Sequence, residues 1–446
     1  MKLDFFYSVF NENRNQNAII YKGIETKYET LLFNIETWKE KLLQNGISKG
    51  EVIALVGDFT PNTISIFFAL IENDNIIVPF DFSQRNLIEK KVQIAGISQK
   101  ITVDEFDNIH FENCEWKHLH AFYDKLKTEG KPGLVLFTSG TSGEPKAAVH
   151  DLSKLLLKFT VRKRNFRTLN FLLYDHWGGL NTMFHTLSNG GVVLALNDRR
   201  PKIICSFIEK YKIELLPASP TFLNLLLLSE EYKNYDLSSL QLITYGTEPM
   251  PESTLVRLKT AFPNVKLQQT YGLIELGVLR SKSKSDDSLW VQIGGEGFRT
   301  RVVENLLEIK ADSAMLGYLN APSPFTEDGW FMTGDQVEVD GEYIKILGRK
   351  SELINVGGEK VYPAEVESVI QEFDNVMEVT VYGEKNPLMG NIVCAKIRLK
   401  VPEEKKEFIS KLKLFCKQRL QSFKIPVKVL IEEQEQYNER FKKIRK

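Results

Sequence analysis

Apolar runs of strand length alternate with helical patterns through most of the chain, and that rhythm predicts an α/β fold. Strand, helix and strand at such spacing argue for parallel sheets covered by helices, which we assign to a large N-terminal domain. Two changes of pattern complete the architecture. After about Ser281 short strands dominate and mark a small β-rich subdomain, and from about Lys350 the chain reads as a small α+β domain. The boundary is expected between residues 1–348 and 349–446. The second unit, about a hundred residues, is of a size that can fold alone.

Each element has its own signal. Glu51–Val56 (EVIALV) is a short buried strand, Pro61–Asn73 a helix and Ile76–Phe80 (IIVPF) the next strand. Further strands are expected at Gly133–Phe137, Leu169–Leu173, Gly191–Leu196, Ile213–Pro217 and Leu240–Thr244. Asp236–Leu240 (DLSSL) reads as a helix entry and Pro251–Phe262 as a helix. The β-rich region carries Phe298–Val303, Leu306–Ile309, Gln336–Val339 and Tyr343–Leu347, with Asp340-Gly341 turning the last two into a hairpin. The C-terminal unit runs helix Pro363–Glu372, strands Val376–Tyr382 and Ile392–Leu399, helix Glu403–Gln421 and strand Val427–Ile431.

Composition narrows the function. Hydrophobic residues make up 43% and charged residues 26%, as in ordinary soluble globular proteins. Lys+Arg and Asp+Glu are both 58, so no global attraction for nucleic acid or anionic membrane is expected, and any anion site must be local. Cys114, Cys205, Cys394 and Cys416 lack CxxC spacing, which implies neither a zinc site nor a disulfide framework and fits the cytoplasm. The N-terminus has no basic region followed by an apolar run, so no signal peptide is expected. Ile64–Ile71 and Leu223–Leu228 fall far short of the ~20 apolar residues that span a bilayer.

The most informative stretch is Leu134–Lys146, LVLFTSGTSGEPK. An apolar strand ends abruptly in Thr138, Ser139, Gly140, Thr141, Ser142 and Gly143, followed by Glu144, Pro145 and Lys146. Hydroxyls and glycine N–H groups after a strand make an anion cradle, to which the lysine adds positive charge. The spacing is not that of a Walker A loop.

This loop resembles the phosphate-binding signature of the acyl-adenylate-forming superfamily, which includes acyl-CoA synthetases, adenylation domains of nonribosomal peptide synthetases and firefly luciferase. Four further segments match in order. Gln269–Glu275 (QTYGLIE) resembles Y-G-x-T-E, which implies Tyr271 beside adenine and Glu275 on Mg²⁺, with Ile274 replacing the family's threonine. Gly329–Asp335 (GWFMTGD) and Gly348-Arg349 resemble G-W-x-x-T-G-D and its following G-R, implying Asp335 on the ribose hydroxyls and Arg349 on ribose or phosphate. Arg349–Glu367 resembles the family's hinge, with Ser351 at the pivot between two lid orientations. The tail YNERFKKIRK stands where the family has P-K-T-x-x-G-K-x-x-R. That alignment implies Lys443 as the lysine bridging carboxylate and α-phosphate, with Lys442 the alternative.

The acid site is expected near Tyr174–Leu180 (YDHWGGL) and Thr244–Glu248 (TYGTE). The first resembles the H-x-G-G-L run of CoA ligases, with His176 as gate and Gly179 nearby, and its Tyr174-Asp175 resembles the pair that holds an amino-acid ammonium. Asp175, His176, Gly179, Thr244 and Tyr245 are thus the candidate substrate residues, and the backbone at Gly246 would flank adenine. The resemblance implies ATP-dependent activation of a carboxylic acid, with ATP, Mg²⁺ and CoA as partners. Loading of an amino or aryl acid onto a carrier protein, or an inactive homologue acting as nucleotide sensor or scaffold, remains open at this level.

Overall fold

The computed structural model describes residues 3–82, 88–114, 120–138, 144–196, 198–438 and 441–444. Two seven-stranded sheets form the centre of the large domain. In the first, strands Lys266–Gln269, Leu242–Tyr245, Leu215–Ala218, Arg167–Asn170, Val192–Ala195 and Asn17–Tyr21 run parallel, and Ile24–Lys27 closes the edge antiparallel. In the second, Gly133–Thr138, Ile76–Asp81, Val52–Gly57 and Gln99–Val103 are parallel, flanked by the antiparallel strands Lys146–Asp151 and Ile109–Asn113.

The strands alternate their side chains between two cores, as a period of two requires. Ile19 and Ile53 enter a central cluster shared by both sheets, while Ile20 and the neighbours Val52 and Ala54 feed separate clusters on the outer faces. Helices Pro61–Glu72 and Trp177–Ser188 fill the space between the sheets, with the rings of Phe68 and Phe184 5.8 Å apart. Burial on all sides explains why Thr63–Ile71 is apolar almost throughout. Thr60 starts that helix by accepting the Thr63 N–H, and Pro61 follows at the first helical position.

A third, six-stranded antiparallel sheet contains the Phe331–Asp340/Tyr343–Arg349 hairpin. After a single 3₁₀ turn at Lys350–Glu352 the chain enters a five-stranded sheet with its own core, including Val361, Val381, Val393 and Phe408.

Two expectations need correction. The run Leu169–Leu173 is a strand only over Arg167–Asn170, because Asn170 Nδ2 turns to the Gly179 carbonyl (3.1 Å) and the chain leaves the sheet. Asp236–Leu240 is a turn, not a helix entry: Asp236 accepts the Ser238 N–H (3.0 Å) and the chain passes into Leu242–Tyr245. Helices Asp4–Glu12 and Tyr28–Gln44 went unassigned from sequence, although the second carries a helical stripe in Tyr28, Leu31, Ile35, Trp38 and Leu42. Among the described residues, no helix is long and apolar enough to cross a membrane.

Candidate active site

Both sheets deliver loops at the carboxyl ends of their parallel strands, where open α/β sheets bind ligands. Strand Gly133–Thr138 leads into the hydroxyl- and glycine-rich loop, and Lys146–Asp151 leads out, with Thr138 and Lys146 paired across the two strands. Ser139, Gly140, Thr141, Ser142 and Gly143 lie outside the described residues. The exit limb is fastened by a short strand, Gly317–Tyr318, paired to Val149 and Ala148. Asn320 completes the fastening: its Oδ1 accepts the Ala147 N–H (3.0 Å) and its Nδ2 donates to the Pro145 carbonyl (2.9 Å).

Tyr318 connects this loop to Glu275. Its hydroxyl donates to Glu275 Oε1 at 2.5 Å, and the Lys146 ammonium lies 5.6 Å from its ring centroid. Burial, then the Glu275 charge, raises the Tyr318 pKa, so the hydroxyl stays a donor.

Glu275 in turn belongs to a charged group around Asp335. Tyr271 Oη donates to Asp335 Oδ2 (2.5 Å), and Arg349 Nε lies 2.7 Å from Asp335 Oδ1. Thr333 Oγ1 accepts the Asp335 N–H (3.0 Å), and the Thr333 carbonyl accepts from Arg349 (3.1 Å). Burial raises the Asp335 pKa; Arg349, Tyr271 and Lys442 pull against it, while Glu275 adds to it.

Loops from the first sheet line a cavity, open to solvent, of about 460 Å³. Phe171, Leu172 and Leu173 follow Asn170, Ser219 follows Ala218, and Thr247 follows the Leu242–Tyr245 strand; all line it. His176, Gly178 and Arg199 face it as well, and the tail closes it with Phe441 and Lys442. His176 caps helix Trp177–Ser188 by accepting the Gly178 N–H on Nδ1 (3.2 Å). Lys442 therefore belongs to both groups: it lines the cavity, and its charge acts on Asp335.

The family model for AMP-binding enzymes matches residues 83–304, and the model for the AMP-binding enzyme C-terminal domain matches residues 365–439. The chain belongs to the acyl-adenylate-forming superfamily. It is similar to 2-succinylbenzoate–CoA ligase of Listeria monocytogenes, 26% identical over 94% of this chain and 92% of that one. A long-chain-fatty-acid–CoA ligase of Bacillus subtilis is 23% identical over 92% of this chain and 87% of that one. Among solved structures, the anthranilate CoA ligase AuaEII with anthranoyl-AMP superimposes with a TM-score of 0.84 at 19% identity, covering 99% of this chain and 95% of that one. This protein is accordingly an AMP-forming acid–thiol ligase by family.

The superfamily pattern makes several departures readable. Lys443, which the tail alignment puts at the bridging lysine, has its Nζ 2.9 Å from Glu367 Oε2. Phe441 has φ +49°, the left-handed backbone that a glycine serves best. Phe441 and Lys442 line the cavity, whereas Lys443 is held by Glu367. Gly179 does not line the cavity; Gly178 does. A Cβ at Gly179 would meet the Leu173 carbonyl at 2.3 Å, so this glycine lets the helix pack against the preceding loop.

Asp175 is buried and outside the cavity lining, and Tyr245 is 1% exposed within the outer core of the first sheet. Thr244 sits in the strand between Pro217 and Gln268, leaving Thr247 as the residue of that segment that reaches the cavity. At Gly246 a Cβ would meet the Thr270 carbonyl at 2.5 Å, a close approach that excludes any side chain. Ile274, where the family pattern has threonine, packs against two hydrophobic clusters. Ser351 is exposed in the 3₁₀ turn between the third sheet and the C-terminal sheet. Tyr318, Asn320, Arg199 and Ser219 carried no sequence signal that separated them from ordinary loop residues.

Proposed function

We propose that this protein joins a carboxylic acid to AMP, releasing pyrophosphate from ATP, and then transfers the acyl group to the thiol of CoA, the C–O bond to phosphate breaking and AMP leaving. The observation that carries the reading is Lys442, which faces the cavity while its charge acts on Asp335. The acid occupies the cavity beside His176, and its carboxylate oxygen attacks the α-phosphorus. A new P–O bond forms as the bond to pyrophosphate breaks, so no proton transfer and no nucleophilic side chain is needed. Lys442 offsets the charge gathering on the reacting oxygens, and positioning supplies the rest.

Thr138 through Lys146 hold the β- and γ-phosphates, Asp335 the ribose with Arg349 behind it, and Tyr271 and the Gly246 backbone the adenine side. The donor chemistry suits magnesium, which at nucleotides takes one or two carboxylates plus phosphates and water: Glu275 presents a carboxylate whose Oε1 is held by the Tyr318 hydroxyl. Glu275 is the carboxylate that would hold it, and the ion would supply charge neutralisation across the phosphates. The lid, residues 349–446, then turns about Ser351 to admit the thiol.

Similarity to CoA ligases over nearly the whole chain favours CoA as acceptor. Carrier-protein loading of an amino acid would call on Asp175, and its position outside the cavity lining weighs against that alternative. The test is a panel of carboxylic acids scored for pyrophosphate release and then for thioester with CoA. Acid-dependent release followed by acyl-CoA is expected. No release with any acid would leave the nucleotide-sensor reading in its place.

A further inference from the structure

In the register that puts Lys442 at the bridging lysine, Phe441 stands at the glycine of the superfamily's tail pattern. An aromatic residue at φ +49° is unfavourable, so its surroundings must hold it. They do so from three sides. The Phe441 ring lies 5.3 Å from Phe222 at 72°, 6.4 Å from Phe171 at 78°, and stacks on Tyr437 at 5.2 Å and 23°. Its carbonyl accepts a hydrogen bond from Ser219 Oγ (3.0 Å), the hydroxyl that also caps helix Pro220–Ser229.

Phe441 cannot move without Lys442. Asn438 N–H donates to the Lys442 carbonyl (3.0 Å), and Asn438 Oδ1 accepts the Lys442 N–H (3.1 Å). The Ile444 N–H bonds to the Gln436 carbonyl (2.9 Å) and closes the hairpin outside them. Phe441 is also among the residues lining the cavity that we read as the acid site, which His176 lines too.

We propose that Phe441 is a specificity-determining residue, a wall of the acid pocket carried in by the lid. An acid that leaves room for the ring allows the hairpin to seat and brings Lys442 to the reacting oxygens. An acid that fills the ring's place holds the hairpin out, and Lys442 with it. Size selection then acts on the adenylation step itself, and only there, because the thioester step uses the other lid orientation. The inference rests on the reading of the cavity as the acid site.

The test uses the full chain with Phe441→Gly, which removes the wall and suits the left-handed backbone, and Phe441→Leu, which keeps an apolar anchor of smaller volume. Two quantities are measured across a graded series of straight-chain and aryl acids: kcat/KM for pyrophosphate release, and affinity for the matching acyl-sulfamoyl-adenosines by calorimetry. Phe441→Gly should shift the preference toward bulkier acids by about tenfold or more in the ratio of bulky to small, the scale at which a pocket discriminates a methylene or two. Phe441→Leu should fall between. Conversion of a supplied acyl-adenylate to thioester should match the wild type. A uniform loss with every acid and an unchanged rank order, in both measurements, would make Phe441 a mere anchor and overturn the proposal. Wild-type protein that neither releases pyrophosphate nor binds any acyl-sulfamoyl-adenosine would instead overturn the activation reading, and this inference with it.

Discussion

Tyr271 Oη donates to Asp335 Oδ2 at 2.5 Å, tying the loop after strand Lys266–Gln269 to strand Phe331–Asp340, 64 residues on in sequence. Burial pushes the Asp335 pKa up, and Arg349 and this hydroxyl hold it back. Tyr271→Phe removes one donor to the charged form, so the Asp335 pKa should rise further. Loss of a hydrogen bond to a charged group amounts to about 1.5–3 kcal/mol, or roughly ten- to a hundredfold in ATP affinity. The deficit should widen as pH is lowered from neutrality, because the neutral carboxyl is a poorer acceptor for ribose hydroxyls. Calorimetric ATP titrations over a descending pH series check it; an affinity gap that stays constant with pH would argue against coupling through Asp335. Asp335→Ala should raise the KM for ATP more than it lowers kcat.

Glu275 and Tyr318 make a second pair. Glu275→Gln keeps the shape, loses the charge, and should reduce pyrophosphate release by orders of magnitude at ordinary Mg²⁺. Tyr318→Phe leaves Glu275 without its hydroxyl partner and should act in the same direction but more weakly, about tenfold. Raising Mg²⁺ should recover part of the Tyr318→Phe loss and none of the Glu275→Gln loss. Full activity in Glu275→Gln would remove the residue from the site.

The two tail lysines separate cleanly. Lys442→Ala should abolish acid-dependent pyrophosphate release while a chemically supplied acyl-adenylate still becomes thioester. Lys443 is paired with Glu367, which is 2% exposed and also accepts the Val381 N–H (2.9 Å). Lys443→Met leaves that buried carboxylate short of its cation, so it should lower the unfolding midpoint and depress both half-reactions alike. Selective loss of adenylation in Lys443→Met, with Lys442→Ala active, would restore the register that the sequence alignment favours.

Much of this was legible in sequence because its causes are local. Strand Gly133–Thr138 and its loop stand out as an apolar run followed by hydroxyls and glycines, and the Phe331–Asp340 hairpin has its own turn residues. The tail was not legible in the same way. Whether residue 441 or 442 takes the glycine's place depends on a backbone angle fixed by Phe171 and Phe222, over two hundred residues away in sequence. The run after Asn170 misled for a related reason: Phe171, Leu172 and Leu173 are apolar because they line a cavity, and a line of apolar residues reads equally well as strand. Tyr318 and Arg199 matter only through neighbours brought in by other loops.

Asp58 gives a prediction with a defined pH window. It follows strand Val52–Gly57, accepts the Phe59 N–H (2.7 Å), and has its pKa pushed up to about 6 by burial, with Asp81 adding to the shift and Arg199 opposing it. A carboxyl whose folded pKa lies above its ordinary value favours the folded state while protonated. That contribution is complete below pH about 4 and disappears as pH rises through about 6. Asp58→Asn keeps an oxygen for Phe59 N–H and never ionises, so relative to wild type it should gain stability between pH 4 and 6 and hold a constant advantage above. The gain should be on the order of 2 kcal/mol, taken from the size of the shift and reduced for partial solvent exposure. His150, fully buried with its pKa pulled down to about 4, works the other way: its contribution is present above pH about 6.5 and is lost as pH falls. Because both proteins keep His150, that term cancels in the difference. Urea midpoints of the two proteins at pH 4.5, 5.5, 6.5 and 7.5 isolate Asp58. A difference that does not change with pH would mean that Asp58 does not titrate in this window. Arg199 lines the acid cavity and feels the Asp58 charge, so the same substitution should also tighten acid binding above pH 6, where wild-type Asp58 is ionised.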